Sequence, residues 1–331
     1  MARNTCFYAE YYLSGETVEK IKLKLHFGVQ RTGSSTIKKR LIASDQILKV
    51  NGFLHPELGV QHRHTGLAWK LNQKKISIEE IMDRIAEERT PNIHTIIVAG
   101  EDFALVEDFR WLSVLKDHYD VEVAIYLKRQ DLWLESWYNQ HVKWPWSKKF
   151  SGKSAEYFYD NIDDFSWIDY DGLLSKITKF LPSRKLHVQV LDGAGIKDSA
   201  TDFFAFCGIP GKLIKTVSEQ NASISMAQIE VLRRVDLADV GVAARVKIIK
   251  ALQAVKIDED DGKKIVFTDL QVTNILKRFE LTNRRVAKKY FNRDILFADP
   301  VLSNRHPIRI SDEKVYSVYL PQIIKKITTP S

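Results

Sequence analysis

The chain has 331 residues, of which 44% are hydrophobic and 28% are charged. This composition is typical of a globular protein with a full core, and it excludes a fibrous or largely disordered chain. The formal net charge is +8, which favours anionic ligands. The sequence contains no zinc-finger, homeodomain or RNA-binding signature, so we expect no nucleic-acid partner.

The sequence lacks the patterns typical of membrane-spanning proteins and of cysteine-rich metal sites. No apolar run approaches the roughly 20 residues that a membrane span needs, so we expect no transmembrane helix. The two cysteines, Cys6 and Cys207, are far apart and lack metal-ligand spacing, so we expect no bound metal. Because the sequence also shows no signal-peptide pattern, we expect a protein of the reducing cytoplasm.

Short apolar segments alternate with amphipathic segments through the first two thirds of the chain. After an N-terminal extension over 1–20, the expected strands are 21–27, 93–99, 121–127 and 186–191. Helical spacing predicts helices near 35–49, 78–89, 104–117, 131–142, 171–181 and 199–207. Short strands rich in β-branched residues, alternating with helices, predict a doubly wound α/β domain with a central parallel sheet.

The last third of the chain changes character. Good helix formers with helical spacing fill 225–256 and 268–291, and a polar turn over 258–262 separates them. We therefore predict an α/β core over 21–215 and a helical C-terminal portion over 216–331 that packs on the core, within a single domain overall.

The most informative motif directly follows the first predicted strand and reads Gly28-Val29-Gln30-Arg31-Thr32-Gly33-Ser34-Ser35-Thr36. A strand that enters a helix through such a loop aims backbone N–H groups at one point, which favours a bound phosphate. The glycine spacing matches the phosphate loop of nucleotide hydrolases and kinases. Ser34, however, occupies the position of their lysine, and the cation of this loop is Arg31.

A second basic motif lies about a hundred residues later in the chain. The predicted strand over 121–127 ends next to Lys128 and Arg129, and Ser136 lies eight positions after Lys128 in a predicted helix. A phosphate monoester needs a positive charge and hydroxyl or amide donors around its oxygens. This segment offers such groups, and both motifs follow the carboxyl ends of predicted strands, where ligands of such sheets bind.

The two motifs together resemble those of sulfotransferases that use 3′-phosphoadenosine 5′-phosphosulfate (PAPS). The first resembles the family's 5′-phosphosulfate loop, Gly-x-x-(Lys/Arg)-Thr-Gly-(Ser/Thr)-(Ser/Thr), and the second its 3′-phosphate motif. The resemblance implies a P-loop-like three-layer α/β/α fold with a central parallel sheet. It also implies a transferase that moves the sulfuryl group of PAPS to a hydroxyl of a saccharide or glycolipid, with PAP as the product.

The resemblance assigns roles to particular residues. Arg31 would stabilise the leaving oxygen, although the family usually has a lysine there and an arginine can hardly donate a proton. Lys128, Arg129 and Ser136 would bind the 3′-phosphate. The residues that would hold the 5′-phosphosulfate are Gly28, Thr32, Gly33, Ser34, Ser35 and Thr36, although this cluster also suits the N-terminus of the next helix.

The general base is left open by the sequence. His64 is preferred, with His62 next, because a histidine is basic near neutral pH; both also read as ordinary loop histidines. Glu101 ends a predicted strand and would face the same crevice, or it caps the following helix. Trp144 and Trp146 form either an apolar platform for the acceptor or ordinary packing contacts.

Two other functions remain compatible with the motifs. One is a catalytically impaired protein of the same fold that still binds the nucleotide. The other is a P-loop kinase, which the missing loop lysine and the absence of a magnesium-binding aspartate pattern disfavour.

Overall fold

The computed structural model describes residues 20–59, 64, 66–191, 196, 198–217 and 224–328. The four predicted strands are present, together with one two-residue strand that the sequence did not indicate. The strands are β1 (Lys22–Phe27), β2 (Phe53–Leu54), β3 (Thr95–Gly100), β4 (Asp120–Lys128) and β5 (Leu186–Leu191). They form one sheet in the order β2-β3-β1-β4-β5, and every pair is parallel.

The register of the central strands brings three strand ends to one edge. Phe27 at the end of β1 pairs with Gly100 of β3 on one side and with Ile125 of β4 on the other. The chain visits β3 before it crosses β1 to reach β4, so the order of the strands reverses around β1. Open parallel sheets bind ligands beyond the carboxyl ends of their strands at such a point.

Helices cover both faces of the sheet, as the α/β class requires. They are α1 (Ser34–Val50), α2 (Leu67–Asn72), α3 (Ile78–Glu88), α4 (Trp111–His118), α5 (Gln130–Lys143), α6 (Ala155–Asp160), α7 (Tyr170–Thr178), α8 (Ser199–Phe206), α9 (Met226–Arg233), α10 (Val242–Gln253), α11 (Asp269–Phe291), α12 (Asp312–Lys314) and α13 (Leu320–Thr328). A π-helical turn over Val315–Tyr319 joins α12 to α13, and 3₁₀ turns lie at Phe103–Leu105, Ile162–Asp164, Ser166–Ile168, Ser183–Lys185 and Gly211–Leu213.

Alternating side chains of the strands separate the core into two layers. On β1, Leu25 and Phe27 belong to the larger cluster, which also contains Trp133 of α5. On the opposite face, Tyr126 of β4 packs in a smaller cluster with Leu41 of α1 and residues of α8. Burial on both faces explains why the strands read as nearly continuous apolar runs.

The C-terminal helices share the larger of these two clusters. Leu252 of α10 and Phe267, which precedes α11, are completely buried within it. α11 packs against α5 and α7. The helical C-terminal portion is thus in direct contact with the helix that carries the second motif. The domain boundaries remain a prediction. In the part of the chain that the structure describes, no helix is both long and apolar enough to cross a membrane.

Two helix predictions were wrong in detail. The segment predicted as one helix over 104–117 is a 3₁₀ turn followed by α4, because the Asp108 carboxylate accepts a 2.9 Å hydrogen bond from the Arg110 backbone N–H and starts a new turn there. The segment over 225–256 contains two helices, α9 and α10. Between them Asp236 adopts a left-handed conformation with φ of 45°, which a continuous helix does not allow.

Candidate functional site

The loop between β1 and α1 is held closely by its neighbours at both glycines. The Gly28 N–H donates to the carbonyl of Gly100 over 2.9 Å. A Cβ at Gly28 would lie 2.8 Å from the backbone of Glu101. Gly33 has φ of +93°, and a Cβ there would lie 2.0 Å from Oγ of Ser199, the first residue of α8. Both positions therefore need glycine for close approach, and Gly33 needs it also for its backbone conformation.

The hydroxyl groups of the loop differ in what they contact. Thr32 is buried, and its hydroxyl donates to the carbonyl of Val29, which closes the loop. Ser34 is also buried, but its Oγ has no hydrogen-bond partner within the described residues. Ser35 is exposed and Thr36 half-buried. A buried hydroxyl without a partner is unfavourable, so the Ser34 side chain is suited to an incoming polar ligand.

The first turn of α1 adds backbone donors to this loop. Gly33 is the N-cap residue, and its carbonyl accepts from the N–H groups of Thr36 and Ile37 over 3.0 and 3.2 Å. The N–H groups of Ser34 and Ser35 precede the first intrahelical bonds and point along the helix axis toward the loop. The first turn of α1 contains no acidic residue. The loop therefore presents donors and a helix N-terminus that together suit an anion.

Arg31 reaches out of this loop to the second motif. It has a left-handed backbone with φ of 69°, and its Nε–H donates a 2.8 Å hydrogen bond to Ser136 Oγ. A second bond of 3.3 Å runs from Nη1 to Oε1 of Gln140. Partial desolvation lowers the pKa of Arg31, and the carboxylate of Glu101 opposes that shift. The two motifs thus meet at one place on the carboxyl edge of the sheet.

Lys128 is the last residue of β4 and is half-buried. Desolvation, and then repulsion from Arg31, lower its pKa to about 8. The hydroxyl of Tyr170 fixes the strand end, since it donates a 2.5 Å hydrogen bond to the Lys128 carbonyl and accepts from its N–H over 3.3 Å. Lys128 and Arg31 repel each other, so an anion that binds between them relieves this repulsion.

Arg129 is engaged elsewhere than its neighbour Lys128. We expected it to supply a second cation to the phosphate site, but its guanidinium forms a bidentate pair with the buried Asp131 carboxylate over 2.7 and 3.0 Å. Its Nη1 donates to the carbonyl of Ala298 over 2.9 Å. A guanidinium with these partners anchors the start of α5 and has little free charge for a ligand.

His64 is buried and forms hydrogen bonds through both of its ring nitrogens. Its side chain is almost completely buried, at 1% exposure. Its Nδ1 accepts a 3.0 Å hydrogen bond from the Ala99 N–H, so the proton lies on Nε2, which donates to the carbonyl of Pro56 over 2.8 Å. Both ring nitrogens thus fix a loop to the end of β3, and the role of His64 as a base remains a prediction. His62 lies outside the described residues.

Glu101 lies at the end of β3, beside the phosphate loop. Lys38 of α1 donates a 2.6 Å charged hydrogen bond to its Oε2, and both side chains are mostly buried. The adjacent Asp102 is buried and accepts from the side-chain amide of Gln30 over 3.2 Å and from the Gly66 N–H over 3.3 Å. Burial, and then the charge of Glu101, raise the pKa of Asp102. Glu101 is therefore the candidate base that borders the loop.

Trp133 connects the loop to α5 from the opposite side. It is completely buried, and its indole N–H donates a 2.7 Å hydrogen bond to the carbonyl of Gln30. Gln30 is thereby held by its backbone to α5 and by its side chain to Asp102. Trp137 stacks on Trp133 with centroids 5.5 Å apart. Both tryptophans are core residues.

An open cleft of about 540 Å³ lies beyond Arg31 along α5. It is lined by Gln140, Trp144, Pro145, Trp146 and Arg245. Trp146 is 47% exposed, and its ring lies 5.8 Å from that of the buried Trp137. Since Gln140 also contacts Arg31, the cleft and the phosphate loop are neighbours.

Sequence reasoning missed two polar residues of this region. Gln140 and Lys143 follow Ser136 at the spacing i, i+4 and i+7, which places the three on one face of α5. Desolvation, and then repulsion from Arg31, lower the pKa of Lys143. The helical spacing from Ser136 was the available signal, but it becomes meaningful only once Arg31 is known to contact that face.

Comparison with known proteins gives limited further information. No protein-family profile matches the chain. An uncharacterized protein of Archaeoglobus fulgidus is 27% identical over 176 residues, which is 51% of this chain and 46% of that protein; the match thus spans about half the length of either. A sulfotransferase from Alicyclobacillus acidocaldarius is a structural neighbour with a TM-score of 0.39 and 12% identity, covering 67% of this chain and 98% of that one.

Proposed function

We propose that the protein is a sulfotransferase that moves the sulfuryl group of PAPS to a hydroxyl group of a saccharide or glycolipid. The observation that carries this proposal is the 2.8 Å hydrogen bond between Arg31 and Ser136. It joins the loop suited to the 5′-phosphosulfate with the helix suited to the 3′-phosphate. A single adenosine with two phosphate arms is a ligand that would occupy both sites.

The donor nucleotide is assigned to the carboxyl edge of the sheet. The loop over 28–33 and the first turn of α1 would bind the 5′-phosphosulfate through backbone N–H groups and the partnerless Ser34 hydroxyl. Lys128 and Ser136 would bind the 3′-phosphate. Arg129 would take no direct part, because Asp131 neutralises it. PAPS carries several negative charges, and the cations Arg31 and Lys128 offset them where water is partly excluded.

The reaction that we propose is an in-line displacement at sulfur. The acceptor oxygen forms a new S–O bond while the bond from sulfur to the 5′-phosphate oxygen breaks, and PAP leaves with that electron pair. Arg31 stabilises the charge that develops on the leaving oxygen. The acceptor's proton passes to Glu101, at Oε1, since Lys38 binds Oε2.

The acceptor is assigned to the cleft beside Arg31. Its tryptophan side chains offer apolar surface suited to the C–H faces of a sugar ring. Gln140 borders both the cleft and Arg31, so an acceptor hydroxyl bound there lies next to the donor loop. This adjacency supports a transfer reaction between two bound substrates rather than storage of a nucleotide.

Transfer of labelled sulfate from PAPS to a saccharide mixture tests the proposal. We expect E101Q to lower the transfer rate by on the order of 10²-fold or more, because it removes the base. The matched control is E107Q, which makes the same change at an exposed glutamate and should leave the rate unaltered. Equal rates for E101Q and E107Q would exclude Glu101 from the reaction.

The same preparation separates the two rival functions. Binding of PAP without transfer to any acceptor, and recovery of transfer in R31K, would indicate a catalytically impaired member of the fold. A melting-temperature increase with ATP and magnesium but not with PAP would indicate a kinase. Either result would replace the proposal.

A further inference from the structure

The cleft beside Arg31 contains positive charge that the donor nucleotide does not require. Among the described residues, those that line it include the cation Arg245 and no carboxylate. Lys143, the last residue of α5, directly precedes the lining residue Trp144. Lys143 is half-buried and lies within electrostatic range of Arg31. Positive charge therefore extends from the phosphate loop along α5 into the cleft.

Arg245 is held in a fixed orientation at the wall of this cleft. Its Nη2 donates two hydrogen bonds of 2.8 Å to the carbonyls of Leu237 and Val240. Its guanidinium carbon lies 5.3 Å from the centre of the Trp144 ring. Stacking and carbonyl contacts orient a guanidinium without neutralising its charge.

Neither cation has an acidic partner in the part of the chain that the structure describes. By contrast, the half-buried cations Arg305 and Lys38 are paired with Glu135 and Glu101, respectively. A partly desolvated cation without a counter-ion is unfavourable unless a ligand supplies the negative charge. The two cations are therefore better explained by a ligand than by stability.

We propose that the cleft binds an acidic saccharide, with a carboxylate or sulfate group between Lys143 and Arg245 and a sugar ring on the exposed Trp146. This inference rests on the proposed function for the reaction, but it adds the chemical class of the acceptor and the two residues that select it. Arg245 and Lys143 are specificity residues here, since they contact the acceptor's anionic group and not the transferred sulfur. A neutral saccharide would leave both cations without a partner.

Calorimetric titration of the full chain tests this inference directly. The acidic probe is an unsulfated chondroitin tetrasaccharide, and the neutral probe is chitotetraose, which has the same number of rings. With PAP present at saturation, we expect the acidic probe to bind at least tenfold more tightly, and that ratio to fall as salt is added. R245Q and K143Q should each bring the ratio toward one.

Controls separate loss of charge from loss of fold. K247Q removes one positive charge from an exposed position of α10 and should keep the tenfold ratio. Because Arg245 also supports the turn before α10, K143Q is the second and independent variant, and R245K should retain most of the preference by keeping the charge. A ratio near one in the unmodified chain, no binding of either probe, or an undiminished ratio in both R245Q and K143Q would overturn the inference.

The titration also distinguishes failure of the inference from failure of the proposed function. PAP binding is measured first and does not involve the cleft. If PAP binds and the saccharides show no charge preference, the acceptor class is wrong and the transferase proposal stands. If PAP does not bind, the saccharide titrations of the nucleotide-free chain decide whether the cleft is an acidic-saccharide site.

Discussion

Arg31 and Ser136, 105 positions apart in the chain, are joined by a 2.8 Å hydrogen bond from Nε to Oγ. Each residue belongs to a different strand-to-helix junction, one after β1 and the other after β4. The parallel register of these two strands places both junctions at the same edge. The contact thus makes one site from two motifs that are far apart in sequence, and the predictions below depend on it.

Replacement of Arg31 separates its chemical role from its backbone conformation. We expect R31A and R31G to reduce sulfuryl transfer equally, by on the order of 10²–10³-fold, because both remove the charge at the leaving oxygen. R31G should be more stable than R31A by about 1 kcal/mol, since the left-handed φ of 69° suits glycine. Single-turnover transfer and urea unfolding measure the two effects. R31K should remain active, and a rate for R31A within threefold of the unmodified chain would contradict the assigned role.

The lowered pKa of Lys128 leads us to expect that PAP binding depends on pH. Its pKa in the free protein is lowered to about 8, so the ammonium is charged below that pH and loses its charge above it. Affinity for PAP should therefore fall as pH rises through 8, because only the charged form pairs with the 3′-phosphate. Titration calorimetry from pH 6.5 to 9.5 measures this decline. K128R stays charged over the whole range and should give a nearly flat profile; the same decline in K128R would assign it to another group.

We expect the single methyl group that G33A adds to have a large effect on stability. G33A places a side chain on a residue with φ of +93° and 2.0 Å from Ser199 Oγ, so we expect the free energy of unfolding to fall by on the order of 2–4 kcal/mol. G211A is the control, because no atom lies within 4 Å of a Cβ there. The double variant G33A/S199G should recover only the steric part of the loss. Equal stabilities of G33A and G211A, measured by denaturant unfolding, would refute the close approach of α8 to the loop.

We expect the burial of His26 to make the folded protein less stable in acid. Its ring is completely buried between Tyr126 and Phe203, and burial lowers its pKa from 6.5 to about 3. Below pH 6.5 the unfolded chain binds a proton that the folded chain excludes, so stability falls as pH decreases from 6.5 toward 3. The expected loss between pH 7 and pH 5 is about 2 kcal/mol.

The variant H26L should remove that part of the acid sensitivity. H118Q, which changes an exposed histidine, should leave it in place. Urea unfolding at pH 7 and pH 5 provides the comparison for both variants. If H26L loses as much stability between the two pH values as the unmodified chain, another group is responsible.

The sheet and its phosphate loop were predictable because their signals are local. Each of the two motifs follows a short apolar strand that the sequence shows directly. The glycines at 28 and 33 are also visible in the sequence, because the conformation of the loop requires them. The strand Phe53–Leu54 was not predicted, because a strand of two residues is too short to show an alternating pattern of apolar residues. The break before α4 depends on how the Asp108 carboxylate orients, which sequence spacing does not indicate.

The candidate site was predictable only where a residue type implied one role. Arg31 and Ser136 could be placed from motif spacing, and the structure joins them. The roles of His64 and Arg129 remain predictions, because a histidine or an arginine serves equally well as a structural partner. His64 accepts a hydrogen bond from the Ala99 N–H, and Arg129 pairs with the Asp131 carboxylate. Gln140 was not predicted as a site residue, because its part in the site depends on its contact with Arg31, which is 109 positions away in the sequence.

Comparison of PAP with ADP binding tests the central claim most directly, because both nucleotides carry two phosphates on adenosine and only PAP has one of them at the 3′ position. If one nucleotide contacts both the loop of Arg31 and the helix of Ser136, calorimetry should show PAP binding at least tenfold more tightly than ADP. The double variant K128A/S136A should then bind both nucleotides alike. Equal affinities for PAP and ADP in the unmodified chain would contradict the claim.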